Sequence, residues 1–581
     1  MSDENKSRRP YAPRMSPQRT YEEINSYVVF WGLFFSVLFA LAVGYLCLKI
    51  GQTVDAFAPV SVLAMGMAVL FHRKNAFPET VHIQAIASAG TNIIGGAMFI
   101  LPALYILNIE DVSFIEMAIP IVLGGVLGVF LATVFRRYFC EEMDGVYPFP
   151  SGSAAAEVLE SDEGTKAHLM LLSGAVALVY DFVLNSLGWW QELLTTTTFH
   201  WGQVLADKYK LVFSLDNDAA LLGIGMLAMS GIIGLLSMSG VVVRVVKRAI
   251  ADLFSKGSAA TGTLLRTQQD LPMTQIVFGS LLMAILFAVF FHVMCSESLT
   301  QTVIAFVLVV LFALMLSVVG ISSIAFTGNE PVSGMTIFML IVSAVVMGGV
   351  GMSGKTGIIA ILMMAAFLCA TLAVSGNFMS ELKVAYITGA TPKKMQQWQL
   401  VSIVLAGIVS VGVVFLMHYA YGFTGEDALA APQANAMAAI VKPMMDGGDA
   451  PWPLYMAGAF FAVLLWMMKI PPLAFALGSY LPMGINTPVL VGGLISYFVS
   501  HSSDDAKINA KRLSEGNTVA SGFVAGGAIG SLISAVLHIA GIDWFAKAWA
   551  ASPAATFAGI VAYFVLCIFL YAMAKHAVKQ D

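Results

Sequence analysis

The chain has 581 residues, of which 58% are hydrophobic and only 11% charged, less than half the roughly 25% charged fraction of a soluble domain. Mean hydropathy is +0.83, and no hydrophilic block is long enough to make a soluble domain of its own. The formal net charge of -5 is spread thinly, with no basic stripe of the kind nucleic acids need. The sequence therefore predicts an all-α polytopic membrane protein, with the lipid bilayer as its surroundings and no nucleic-acid partner.

Taken in chain order, residues 1–25 read as a cytoplasmic tail. They carry Arg8, Arg9, Arg14 and Arg19 and lack the short apolar core and small-residue cleavage site of a signal peptide. A helix needs about 20 apolar residues to cross the hydrocarbon, because every backbone polar group must be satisfied internally. Such runs occur at Ser26–Leu48, Ala56–Phe71, Ala85–Leu107, Phe114–Phe135, Leu169–Leu187, Ala219–Val243 and Met273–Met294. They continue at Leu299–Gly320, Thr336–Met352, Thr356–Val374, Leu400–Tyr419, Pro453–Met468, Ser521–Ile539 and Ala554–Met573. Two further stretches, Ile321–Ser333 and Ile470–Ser500, are interrupted by Gly, Pro and polar residues and read as broken or re-entrant helices. The expectation is about 14–16 transmembrane helices, counted by apolar run length.

Short echoes point to two related halves, 26–320 and 321–575, followed by a tail at 576–581. Ala58-Pro59-Val60-Ser61 returns as Glu330-Pro331-Val332-Ser333, and Phe149-Pro150-Ser151-Gly152 returns as Leu481-Pro482-Met483-Gly484. Lys and Arg gather at His72-Arg73-Lys74, Arg136-Arg137, Arg244 to Arg266, Lys383 to Lys394 and Lys507 to Arg512, whereas Glu110-Asp111, Glu426-Asp427 and Asp446 to Asp449 are acidic. The positive-inside rule then places both termini in the cytoplasm. The cysteines Cys47, Cys140, Cys295, Cys369 and Cys567 are widely spaced, form no C-x-x-C pair and read as packing residues.

Five segments carry polar chemistry into this apolar background. Tyr147 to Leu159 enters by two prolines and starts a helix near Ser151, whose first N–H groups are suited to a carboxylate. Ile321 to Thr336 is a polar island with Asn329 and Glu330. Ser375 to Lys394 sets Asn377, Glu381, Lys383 and Tyr386 on neighbouring helical turns, with Glu381 and Lys383 expected to find partners other than each other, and Gly389 and Pro392 closing the helix. Ala476 to Gly493 is expected to break at Pro482 and Pro488, and Gly516 to Gly527 is rich in small residues that allow close packing. Asp55, Asp181, His292, Lys355, His418 and Asp543 are ionisable residues in or beside spans, and Asp181, with Asn185 one turn on, is the best placed of them for a buried role. Trp189, Trp190, Trp201, Trp544 and Trp549 read as interface anchors.

Five of these stretches, taken in order, resemble bacterial members of the oligopeptide transporter (OPT/YSL) family. They are Phe149-Pro150-x-Gly152-x-Ala154-x-Ala156-Glu157-Val158-Leu159, Pro331-Val332-Ser333-Gly334-Met335-Thr336, Glu381-Leu382-Lys383-x-x-Tyr386-x-x-Gly389-Ala390-Thr391-Pro392, Tyr480-Leu481-Pro482 and Ala520-Ser521-Gly522-x-x-Ala525-Gly526. The resemblance runs from about Tyr27 onward. Ser151 stands where many relatives carry an acidic residue. It implies proton-coupled import of small peptides, or of metal chelates whose metal is held by the chelator, through an alternating-access body driven by the proton gradient without a cofactor. A homodimer is admitted.

On this reading the substrate meets Asn92, Ser151, Ser153, Asn329, Ser333, Asn377, Tyr386, Tyr480, Asn486, Thr487, Asn517 and Ser521, and proton coupling falls to Glu157, Glu330, Glu381 and Asp181. No metal-binding or catalytic residues are expected. An intramembrane hydrolase finds no support in a G-x-S-x-G or H-E-x-x-H motif, and a channel finds none in a repeated filter loop.

Overall fold

The computed structural model of the protein describes residues 13–51, 53, 57–144, 147, 149–160, 164–209, 211–219, 222, 265–296, 298–327, 332–425, 428–446, 452–468, 475, 483–540, 542, 544–550 and 552–576. In chain order the helices are α1 (Ser26–Ile50), α2 (Phe57–Leu70), α3 (Ala76–Asn92), α4 (Ile94–Met98), α5 (Pro102–Ile106), α6 (Phe114–Arg136), α7 (Pro150–Glu160), α8 (Gly164–Phe182) and α9 (His200–Tyr209). They continue as α10 (Met273–Cys295), α11 (Leu299–Thr327), α12 (Val332–Gly349), α13 (Gly354–Thr388), α14 (Pro392–Tyr421) and α15 (Pro432–Met445). The last are α16 (Trp452–Met467), α17 (Met483–Ser500), α18 (Ala506–Ile539), α19 (Lys547–Ala550) and α20 (Pro553–His576). A single antiparallel strand pair joins β1 (Leu193–Thr195) to β2 (Ser214–Asp216) among the described residues. Also among them, eight helical runs are long and apolar enough to cross a membrane, and four shorter apolar helices accompany them. The expected span at Ala219–Val243, like Asp55 and Asp543, lies almost wholly outside the described residues.

The helix ends follow their local chemistry. Ser113 and Glu116 close a capping box on α6. Asn25 caps α1 by accepting the Val28 N–H at 3.0 Å. Gly389, at φ +80°, ends α13 in the left-handed conformation that disfavours side chains.

The chain divides into two compact units. The first comprises Met1–Asp162, Ser237–His418 and Phe423–Ala459; the second comprises Glu163–Leu236, Tyr419–Gly422 and Phe460–Asp581. In the first unit α13 is the axis: 94% of its most apolar window is buried, against 28% for α10. Water is absent from the hydrocarbon, so helices associate there by close packing rather than by hiding apolar surface from water. Gly124 of α6 shows the consequence, because a Cβ there would lie 2.2 Å from the Phe367 carbonyl oxygen of α13. In the second unit α8 packs on α18 in the same way, with Gly526 set against the Gly174 carbonyl.

Two expectations need correction. The run predicted to end at Val374 is one continuous 35-residue helix to Thr388. Hydropathy alone misplaces the end, whereas the helical spacing of Asn377, Glu381 and Lys383 and the closing Gly389 fall where expected. Pro488 does not break its segment but sits inside α17, a position where losing one backbone bond is tolerable.

Candidate functional site

The polar chemistry of the first unit collects along α13. Gln84 Nε2 of α3 donates to Glu381 Oε1 at 2.9 Å, and both residues are fully buried. Farther along, Gly96 packs on Ala370, so α3 and α4 run antiparallel to α13. Gln84, Ser88 and Asn92 recur every four residues on one stripe of α3, and Glu381 and Asn377 do so on α13. The result is a seam of amide, hydroxyl and carboxylate groups inside a membrane-spanning pair. Ser88 donates to the Ala85 carbonyl of its own helix at 2.9 Å. Asn92 is 1% exposed, yet neither its amide nitrogen nor its oxygen has a hydrogen-bond partner among the described residues. Burying an amide without a partner costs about 1–3 kcal/mol.

The short helix α7 reaches the same helix. Phe149 adopts φ +44° and donates its N–H to the Ala325 carbonyl at 2.9 Å. That turn aims α7 at α13, where Gly152 sits so close that a Cβ would be 2.9 Å from the Ser380 carbonyl. Ser151 and Ser153 are half-buried beside it. Lys383 serves a different contact: its ammonium binds Asp144 Oδ1 at 2.6 Å and the Cys140 carbonyl at 3.1 Å, and it lies 4.6 Å from the centre of the Tyr386 ring. Tyr386 in turn donates to Asp144 Oδ2 at 3.4 Å. Glu381 and Lys383, two residues apart, thus have separate partners on separate faces of α13.

At the Thr388 end of α13 lies an ionic cluster that hydropathy and motif spacing do not indicate. Glu23, fully buried, takes the Arg266 guanidinium and the Thr391 hydroxyl (2.9 Å) on one carboxylate oxygen and faces Lys394 (3.3 Å) and His82 (3.6 Å) with the other. Nearby, Arg136 grips Asp270 through two bonds of 2.6 and 2.7 Å and Glu141 at 2.8 Å.

The remaining expected residues fall elsewhere. Asn329, Glu330 and Tyr480 lie outside the described residues, as do the side chains of Glu157 and Ser333. Asp181, Asn486, Thr487, Asn517 and Ser521 belong to the second unit. There Asp181, fully buried, accepts the Ala219 N–H at 3.1 Å, and Asn185 bonds back to the Asp181 carbonyl at 2.9 Å and to Ser531 at 3.2 Å. Thr487 donates to the Ser214 and Met483 carbonyls at 2.7 and 2.8 Å, which ties α17 to β2. Ser521 is buried on α18 and Asn517 half-buried one turn before it. Of the expected residues, Asn92, Ser151, Ser153, Asn377 and Glu381 come together around α13. Gln84 is the one that sequence reasoning leaves out, because the apolar run starts at Ala85; its four-residue spacing with Ser88 and Asn92 is the available signal.

Apolar helices around a buried polar seam define a multi-pass membrane protein built to accommodate hydrophilic groups within its spans. A family profile described as OPT oligopeptide transporter protein matches residues 23–242 and 215–538. The chain belongs to this family and is a transporter. It is 24% identical over 604 residues to a Haemophilus influenzae protein named for oligopeptide transport, covering 86% of this chain and 93% of that one. It is also 30% identical over 187 residues to Arabidopsis thaliana YSL5, named for metal-nicotianamine transport, covering 29% of this chain and 25% of that one.

Proposed function

We propose that this transporter imports small oligopeptides across the inner (plasma) membrane by proton-coupled alternating access, with both termini cytoplasmic, the proton gradient as driving force and no cofactor. The observation that carries this reading is the buried seam of Gln84, Glu381, Asn377 and Asn92. A peptide presents amide N–H and carbonyl groups, which an unpartnered Asn92 amide complements, and a charged terminus that a helix N-terminus such as that of α7 can meet. Glu381 is the carboxylate in the seam and takes the proton-carrying role, since ionisable groups at such depth are retained for function. Likeness to a metal-nicotianamine transporter favours a second reading, import of a metal chelate. Such a chelate shows the seam the same carboxylate and amine chemistry as a peptide.

The test is uptake into proteoliposomes with an imposed pH gradient, offering di- to pentapeptides and chelates of iron or nickel separately. Uptake driven by the gradient and lost in Glu381→Gln supports the reading. Undiminished, gradient-driven uptake in Glu381→Gln removes Glu381 from proton coupling, and accumulation of chelates alone replaces peptide by chelate.

A further inference from the structure

Residues 13–25 run outside any helix against the end of the seam, and the way they are fastened is informative. Met15, 2% exposed, donates its N–H to the Thr388 carbonyl at 3.0 Å, at the last turn of α13. Gly389 leaves no room for a side chain there: a Cβ would lie 2.4 Å from the Met15 carbonyl oxygen. The Arg266 side chain donates to the carbonyls of Ser16 (3.2 Å) and Arg19 (3.0 Å) and covers the Tyr21 ring. Glu23 binds Arg266, Thr391 and Lys394 and faces His82, which lies two residues before Gln84 on α3. Asn25, the last residue before α1, donates to Glu79 at 2.8 Å.

Glu381 lies seven residues before Thr388, about 10 Å along the helix axis, so this segment floors the seam where α13 ends and α3 begins. It is held chiefly by charges and hydrogen bonds, with Met15 its one buried apolar side chain. Glu23 is fully buried and Arg266 nearly so, and a carboxylate left there without its partners costs several kcal/mol. The contact is therefore either fully engaged or fully released to water, as a catch must be.

We infer that residues 13–25 form a releasable strap that closes the Thr388 end of the seam, with Glu23 as its clasp, and that the strap lets go in each transport cycle. This rests on the transport reading above, and two measurements keep the two separable. The first needs no transport: in purified protein carrying Met15→Cys, reaction of the new thiol with a maleimide reports strap opening, and the unaltered chain gives the background of the native cysteines. Adding Glu23→Gln should speed that reaction by about tenfold or more, the effect of losing a charge-assisted contact; an unchanged rate means Glu23 is no clasp and overturns the inference. The second joins Met15→Cys to Thr388→Cys with a short thiol cross-linker that is cleavable by reductant. Cross-linked protein should lose uptake and regain it on cleavage, whereas equal uptake in both states shows a strap that never moves. Absence of uptake in every form, with accelerated labelling in Glu23→Gln, would sink the transport reading and leave the clasp standing.

Discussion

Gly124→Ala is the sharpest probe of how α13 is held. The added Cβ would lie 2.2 Å from the Phe367 carbonyl oxygen, where an ordinary carbon–oxygen contact needs about 3.3 Å. The obstacle is backbone, which has no rotamer to escape into, so α6 and α13 must part by about 1 Å. Overpacking of this kind costs roughly 1–3 kcal/mol, and a rigid obstacle belongs at the upper end. Parting also weakens the 3.0 Å bond from the Thr371 hydroxyl to the Gly124 carbonyl, which is a loss of about 1 kcal/mol at most, since Thr371 keeps its Phe367 acceptor. Alanine returns about 1 kcal/mol of helix propensity, leaving a net destabilisation of roughly 2–3 kcal/mol. Gly412→Ala is the matched control, because nothing lies within 4 Å of its Cβ position on α14 and only the propensity gain remains. Thermal unfolding of both variants in nanodiscs, followed by uptake, reads the difference. Should Gly124→Ala melt with Gly412→Ala, the close backbone contact of α6 and α13 is not what fixes the seam.

Gln84→Leu removes the N–H that Glu381 accepts and should lower stability by about 1–3 kcal/mol. Adding Glu381→Leu should restore most of that stability and none of the uptake, which a four-member cycle of melting points and rates will show. Arg136→Met should cost roughly 2–3 kcal/mol, below the 3–5 kcal/mol of a wholly buried pair, because Asp270 is 28% exposed and water can replace part of the loss. Denaturation in detergent checks this, and Arg136→Lys should recover only part of the stability, since a lysine cannot make the paired contact.

Part of the seam is legible in the amino-acid order alone. Glu381, Asn377 and Asn92 stand out as polar residues in apolar surroundings, and the Phe149-Pro150-Ser151-Gly152 turn announces a helix start where α7 begins. Gln84 escapes notice because a hydropathy run takes its boundary from average polarity, and α3 enters its buried span through Glu79, Thr80, His82 and Gln84. Hydropathy hides the unbroken length of α13 for the same reason, although the spacing of Asn377, Glu381 and Lys383 and the closing Gly389 mark its last turns. Which groups satisfy that polar stretch, Gln84, Asp144 and the Cys140 carbonyl, is not written in it.

Composition and run length by themselves determined that this chain is helical and lives in a membrane, because the hydrocarbon imposes the same demand on every backbone amide along the sequence. Ordered short motifs were enough to indicate the family. Partnership was decided only by the tertiary structure. That Glu381 meets Gln84 across 297 positions of chain, and that Glu23 closes on Arg266 across 243, follows from helices brought together by small-residue contacts, and no local pattern in the sequence encodes which distant side chain will be there.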